Sequence, residues 1–277
     1  MGARPRRCRA LRPQTLRASR PHPQWCGGRP RRWRQRRRSV GHRSRTRGCH
    51  HLYRTSGVVS TVVDSPIADP SGRVINSADA TGRFLRLAGT PIAARVLDAT
   101  AHMLGVEHGE FSRLALSAPP GSDGLVLLPY FEKAANVAQL RASRVVHGLT
   151  EANATPAHIA RAAVEGVLCS LAGSLEALML HGARPERLLL VGGAARSEAV
   201  RKIAPTVFGQ PVVVLASEEL GACGAARQAA WTLTSTPEPP AWQTAAQVLR
   251  GEAIPSIRAR FADARSRFLR WNATDRF

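Results

Sequence analysis

Arg187 to Phe208 reads RLLLVGGAARSEAVRKIAPTVF, and this stretch decides the fold class. Leu188 to Val191 are four apolar residues in a row, the pattern of a short strand buried on both faces. Gly192-Gly193-Ala194 then makes a turn with almost no side chain. A helix should follow at once: Ser197 is placed to N-cap it, Glu198 falls in its positive first turn, and Val200, Ile203, Ala204 and Val207 recur on one face. A strand, a glycine turn and a capped helix form an α/β unit in which backbone can approach a ligand closely. The same pattern also serves simple packing, so it marks Gly192, Gly193 and Ser197 as candidate site residues without naming a ligand.

Upstream, Thr155-Pro156 opens the clearest helix of the chain, with threonine as N-cap and proline at the first helical position. Its expected buried face is Ile159, Ala163, Val167, Leu171, Leu175, Leu178 and Met179, and Gly182 should stop it after about 27 residues, roughly 40 Å. Further back, Thr55-Ser56-Gly57 leads into a β-branched run, Val58 to Val63, with turn signals at Ser65-Pro66 and Asp69 to Gly72. Strand-like pieces at Arg73 to Ile75 and Arg83 to Leu87 complete a small antiparallel set. Pro91 to Leu104 predicts a helix facing inward through Ile92, Val96, Ala99 and Met103, and Gly109 to Ser117 a second short one. Leu125 to Leu128 reads as another buried strand. Downstream, Pro211 to Leu215 predicts a strand and Gly221 to Leu233 a small-faced helix. A Pro-rich linker from residue 235 then leads to a polar helical tail from Thr244 to Phe268.

The 277 residues carry a net charge of +21, but the charge is unevenly divided. Residues 1–54 hold 18 arginines and no lysine, aspartate or glutamate, whereas the remainder is close to neutral and rich in Ala, Leu and Val. The first segment cannot build a core and is expected to be disordered. Four readings of it stay open: a nucleic-acid-binding arm using phosphate contacts and stacking, a targeting arm, a solvated tail, or an out-of-frame translation of GC-rich DNA. The last is suggested by 38 arginines against two lysines, Lys133 and Lys202. Five cysteines without C-x-x-C spacing imply reduced thiols and a cytoplasmic setting, and no secretory h-region or membrane span is expected. Cys26, Cys49, His50 and His51 match no zinc spacing, so no metal site is expected.

Taken in order, TSGVVSTVVDSPIADPSG, APPGSDGLVLLPYFE, GLTEANATPAHIARAAVEGVLCSL, LLLVGGAARSEAVRKIAPTVFGQPVVV and ELGACGAARQAAW resemble the C-terminal half of the FGGY family of carbohydrate kinases, within it the xylulokinases of bacteria. The resemblance runs from Thr55 to Trp231 and skips Lys133 to Arg144. It implies an α/β, actin-like ATPase (ribonuclease H-like) domain at about residues 55–234, preceded by the disordered Arg-rich segment 1–54 and followed by the linker and tail at 235–277. It implies ATP and Mg2+ as cofactors, a pentulose as sugar substrate, phosphoryl transfer to a sugar hydroxyl, and leaves a homodimer open. It places Thr55 and Gly57 in the phosphate loop, and Gly193 and Ser197 beside the adenosine, with Gly192 in the same turn. No catalytic residue is carried over. The family's aspartate lies in a glycine-rich stretch before the Thr-Ser-Gly loop, where this chain reads Cys26-Gly27-Gly28-Arg29-Pro30-Arg31 and has no acidic residue before Asp64. The expectation is therefore a sugar kinase by descent that lacks its general base, with nucleic acid bound only nonspecifically through residues 1–54.

Overall fold

The computed structural model describes residues 49–51, 57–90, 93–129, 145–216, 219–242 and 244–274. Expectations for residues 1–48, for Thr55 and for Lys133 to Arg144 fall outside them.

The unit with which the sequence reading began forms as expected. Strand β7 is Arg187–Leu190, and after the glycine turn helix α4 covers Glu198–Phe208 and returns to strand β8, Val212–Leu215. β7 and β8 are parallel, Leu188 opposite Val212, so α4 is their crossover. Leu188, Leu189, Leu190 and Val191 are all buried, which explains why the strand carries no polar alternation. Gly209 ends α4 in the left-handed conformation at φ 67.

This pair lies in a four-stranded sheet, β1-β7-β8-β9. Strand β1, Cys49–His51, runs parallel to β7, so the end of the arginine-rich segment expected to be disordered is in fact a strand edge of this sheet. At the other edge β9, Ala246–Leu249, runs antiparallel to β8. A second sheet, β2-β4-β3, is the antiparallel set expected upstream: β2 Gly57–Val63, β3 Val74–Ala78 and β4 Phe84–Thr90. The turn before β3 is held by Asp69, which accepts from Ser71 N–H at 2.9 Å, Ser71 Oγ–H at 2.7 Å and Val74 N–H at 2.8 Å. These donors hold its carboxyl down at about 2, the Ser71 hydroxyl contributing most. A short hairpin pairs β5, Val126–Leu128, with β6, Val145–His147.

Helix α3, Pro156–Leu180, is the axis of the core. Thr155 caps it by accepting from His158 N–H, and Gly182 follows its end at φ 86. It is buried on nearly every side from Ala160 to Cys169, because β2, β4, β5 and the helices α1 (Ala93–Met103), α2 (His108–Ser117), α4 and α6 (Pro255–Thr274) all pack around it. Its 25 residues are long and apolar enough to cross a membrane, and here that apolar surface faces protein. The predicted stripe of α3 holds at Ala163, Val167, Leu171, Leu175 and Leu178, whereas Met179, one residue on and so turned about 100° round the helix from Leu178, is exposed.

One polar cluster is sealed within this core. Arg161 Nε donates to Glu165 Oε1 at 2.6 Å, Glu165 accepts Gly121 N–H at 3.0 Å, and Arg161 Nη1 reaches the Ala118 carbonyl at 3.4 Å. The two side chains are 7% and 6% exposed, so each charge depends on the other. Gly121 opens four consecutive residues with positive φ: 79 at Gly121, 50 at Ser122, 48 at Asp123 and 87 at Gly124. Ser122 Oγ–H donates to the His158 carbonyl at 2.6 Å, and Asn153 Nδ2–H donates to the Asp123 carbonyl at 3.2 Å. Glycine matters again at Gly166, where a Cβ would lie 2.1 Å from the Leu127 carbonyl oxygen: α3 presses directly on β5 there.

Three expectations need correction. α1 turns inward through Ala93, Val96, Leu97, Thr100 and Ala101, with Met103 exposed; Thr100 fits this buried face because its hydroxyl is satisfied by the Val96 carbonyl at 2.8 Å. The tail from Thr244 is not helical at its start, since residues 246–249 pair with β8. Nor is its helix merely polar, for α6 buries Ile257, Phe261, Ala264 and Phe268 in the main core. Helix α5, Leu220–Thr234, forms as expected.

Candidate functional site

The backbone after β7 is shaped by its two glycines. Gly192 has φ 92 and ψ −173, a conformation open only to glycine, and it turns the chain into a 3-10 turn over Gly193–Arg196. Ser197 then closes the turn and caps α4, its Oγ accepting from Val200 N–H at 3.3 Å. A second hydroxyl serves the same helix end from a different element. Ser112, buried on α2, accepts from Ala199 N–H at 2.8 Å and lies 3.5 Å from Ser197 Oγ.

The loop separates two clefts. On one side a cleft of about 460 Å³ runs along the carboxyl ends of β7 and β8, lined by Gly192, Gly193, Arg196, Arg201, Glu219 and Gln247 among others. On the other a cleft of about 580 Å³ lies between the loop and the helices α1 and α2; Gly193, Ser197, Ala94, Leu97, His108 and Ser112 are among its walls. Its floor is apolar at Leu97 and Phe111, both buried, and its rim is charged. Asp98 faces His108 at 3.6 Å across this rim, and Lys202, bonding Glu198 at 2.6 Å, draws the Glu198 carboxyl below its ordinary value. An apolar floor, a glycine wall and polar groups at the mouth suit an apolar ring carrying a polar chain.

Among the residues singled out from sequence, Gly193 and Ser197 thus share one cleft, while Gly192 and Gly193 share the other. Gly57 lines neither. It is buried in β2 opposite Thr90, and its carbonyl oxygen would be 2.3 Å from a Cβ on Gly89, a close crossing of two backbones. Thr55 lies outside the described residues. Sequence reasoning missed Ser112; the available signal was a lone hydroxyl in the apolar stripe Phe111, Ala115 of α2.

A family model decides what this architecture is: the FGGY family of carbohydrate kinases, C-terminal domain, matches residues 72–233. The chain belongs to the FGGY family of carbohydrate kinases. Its domain is accordingly of the α/β actin-like ATPase type expected from the sequence. The xylulose kinase of Streptomyces rubiginosus is 36% identical over 198 residues, covering 69% of this chain and 39% of that protein. The xylulose kinase of Streptomyces coelicolor is 35% identical over 181 residues, 65% of this chain and 36% of that one. Among solved structures, the xylulose kinase from Bifidobacterium adolescentis superposes with a TM-score of 0.74 at 40% identity, over 83% of this chain and 46% of its own. The chain spans less than half the length of these FGGY relatives.

Proposed function

We propose that this chain carries the nucleotide-binding half of an ATP-dependent sugar kinase of xylulokinase type, with a pentulose, D-xylulose first, as acceptor. The observation that supports this reading is the cleft beside Gly193 and Ser197: an apolar floor for the adenine ring, and a glycine wall where ribose and phosphates can approach backbone. The same reading gives Thr55 and Gly57 a part in holding the phosphates, although Gly57 lies in β2 outside this cleft.

In such a reaction the sugar hydroxyl attacks the γ-phosphorus of ATP, a carboxylate takes the hydroxyl proton, and catalysis rests on positioning and charge neutralisation. The chain's part is to hold the nucleotide. Mg2+ is expected to arrive with the phosphates of ATP, whose charge it would neutralise. Residues 1–63 contain no carboxylate to act as base. Loss of a general base removes about 10²- to 10⁴-fold in rate. The 277-residue chain should therefore bind ATP without phosphorylating xylulose.

Titration calorimetry with ATP and a coupled assay with D-xylulose test both halves. Robust ATP-dependent phosphorylation would overturn the inactive reading, and absence of any ATP binding would overturn the nucleotide reading. The charge of residues 1–54 supports a second, weaker role, nonspecific nucleic-acid binding; retention on DNA should then fall steeply with salt and vanish when residues 1–54 are removed.

A further inference from the structure

Ser112 makes a bond that the helix it sits on does not need. Every α-helix leaves its first N–H groups without partners inside the helix. In α4 one of these, Val200 N–H, is taken by the local cap Ser197. The next, Ala199 N–H, belongs to a fully buried residue, and its acceptor comes from α2, 87 residues earlier in the chain. Ser112 is itself 7% exposed, so water does not substitute for it easily. The acceptor end of this bond lies at the cleft of about 580 Å³, where Ser112 and His108 are in its α2 wall; the donor end, Ala199, is buried directly behind Ser197 and Glu198 of the opposite wall. The bond therefore ties the two walls together at the floor.

We propose that Ser112 is a positioning residue for the nucleotide cleft, fixing the separation of α2 from the Gly193–Ser197 loop through Ala199 N–H. The inference rests on the nucleotide reading for its ligand and on the hydrogen bond alone for the tether. Without the hydroxyl the buried amide has no acceptor, and the loop relaxes toward water at the expense of the cleft's width. With its hydroxyl engaged by Ala199 N–H, Ser112 acts through the loop.

The test compares the full chain with Ser112→Ala, Ser112→Thr and, as a purely structural control, Thr155→Ala, which removes the cap of α3 away from the cleft. ATP affinity is measured by calorimetry well below the melting temperature, and amide exchange by mass spectrometry. Ser112→Ala is expected to bind ATP about five- to tenfold more weakly and to exchange residues 193–200 faster by about tenfold, with α3 unaffected. Ser112→Thr, which keeps the hydroxyl, should restore both. Thr155→Ala should melt earlier with unchanged ATP affinity. Wild-type affinity in Ser112→Ala overturns the positioning role, and unchanged exchange at residues 193–200 overturns the tether. If the unmodified chain binds no ATP, the nucleotide reading falls and takes the named ligand with it, while the exchange measurement still decides the tether. Should the threonine variant fail to fold, the contrast between Ser112→Ala and Thr155→Ala decides between a positioning role and a purely structural one.

Discussion

Removing Glu165 should cost this protein more than any exposed charge, and removing its partner as well should give most of that stability back. Glu165→Leu leaves the Arg161 guanidinium 7% exposed with only backbone carbonyls near it, the Ala118 oxygen at 3.4 Å. It also strands Gly121 N–H, which Glu165 accepts at 3.0 Å. An uncompensated buried charge costs about 3–5 kcal/mol. Arg161→Met should cost a similar amount, since Glu165 then keeps only the Gly121 amide. In the double variant no charge remains, and the loss shrinks to the unsatisfied Gly121 amide and nearby carbonyls, about 1–3 kcal/mol. The cycle thus predicts a coupling of about 3 kcal/mol or more between two residues one helical turn apart. Urea unfolding followed by circular dichroism on the four proteins reads each term. At about 2–4 °C per kcal/mol for a domain of this size, each single variant should also melt about 6–20 °C earlier. Strictly additive losses would refute the reasoning, for they would mean that each charge is stabilised by something other than its partner.

Three further outcomes follow from particular contacts. Ser197→Ala removes the cap on Val200 N–H and should cost about 1 kcal/mol of stability by urea titration, with weaker ATP binding by calorimetry. Asp69 has its carboxyl at about 2 in the folded protein, below the ordinary carboxylate value, so the unfolded chain binds the extra proton first. Its contribution is complete above about pH 4 and is lost as the pH falls toward 2; melting temperature against pH should flatten over that window in Asp69→Asn. Gly166→Ala adds helix propensity of about 1 kcal/mol but drives a Cβ to 2.1 Å from the Leu127 oxygen, so a net loss is expected; a stabilised variant would show that α3 does not press on β5.

The parts of the fold that could be read from sequence were those whose signals are local. The Leu188–Val191 run, the Gly192-Gly193 turn and the Ser197 cap lie within about ten residues of one another, and the same holds for Thr155-Pro156 at the start of α3. The misread parts depend on distant partners. Ala246 to Leu249 has no strand pattern of its own and is extended because β8 offers an open edge. The apolar residues of α6 are spaced at Ile257, Phe261, Ala264 and Phe268 among arginines, which hides a core face inside a polar composition. In the candidate site, Gly193 and Ser197 were legible because glycine and a cap mark a turn. Ser112 was not, because only the packing of α2 beside α4 brings it to the same helix end.

The left-handed run Gly121 to Gly124 bears on the order in which the chain assembles. Ser122 and Asp123 hold a conformation that non-glycine residues avoid, at a cost of about 1–3 kcal/mol each. What holds them is remote: the His158 carbonyl, the Asn153 amide and the Glu165 carboxylate, 30 to 44 residues further along. Local backbone bonds, Ser122 N–H to the Pro119 carbonyl and Leu125 N–H to the Ser122 carbonyl, shape the turn, but its remote anchors require α3 and the loop before it to be in place. An early piece of sequence thus depends on a late one, and substitutions at Ser122 are expected to speed unfolding more than they slow folding.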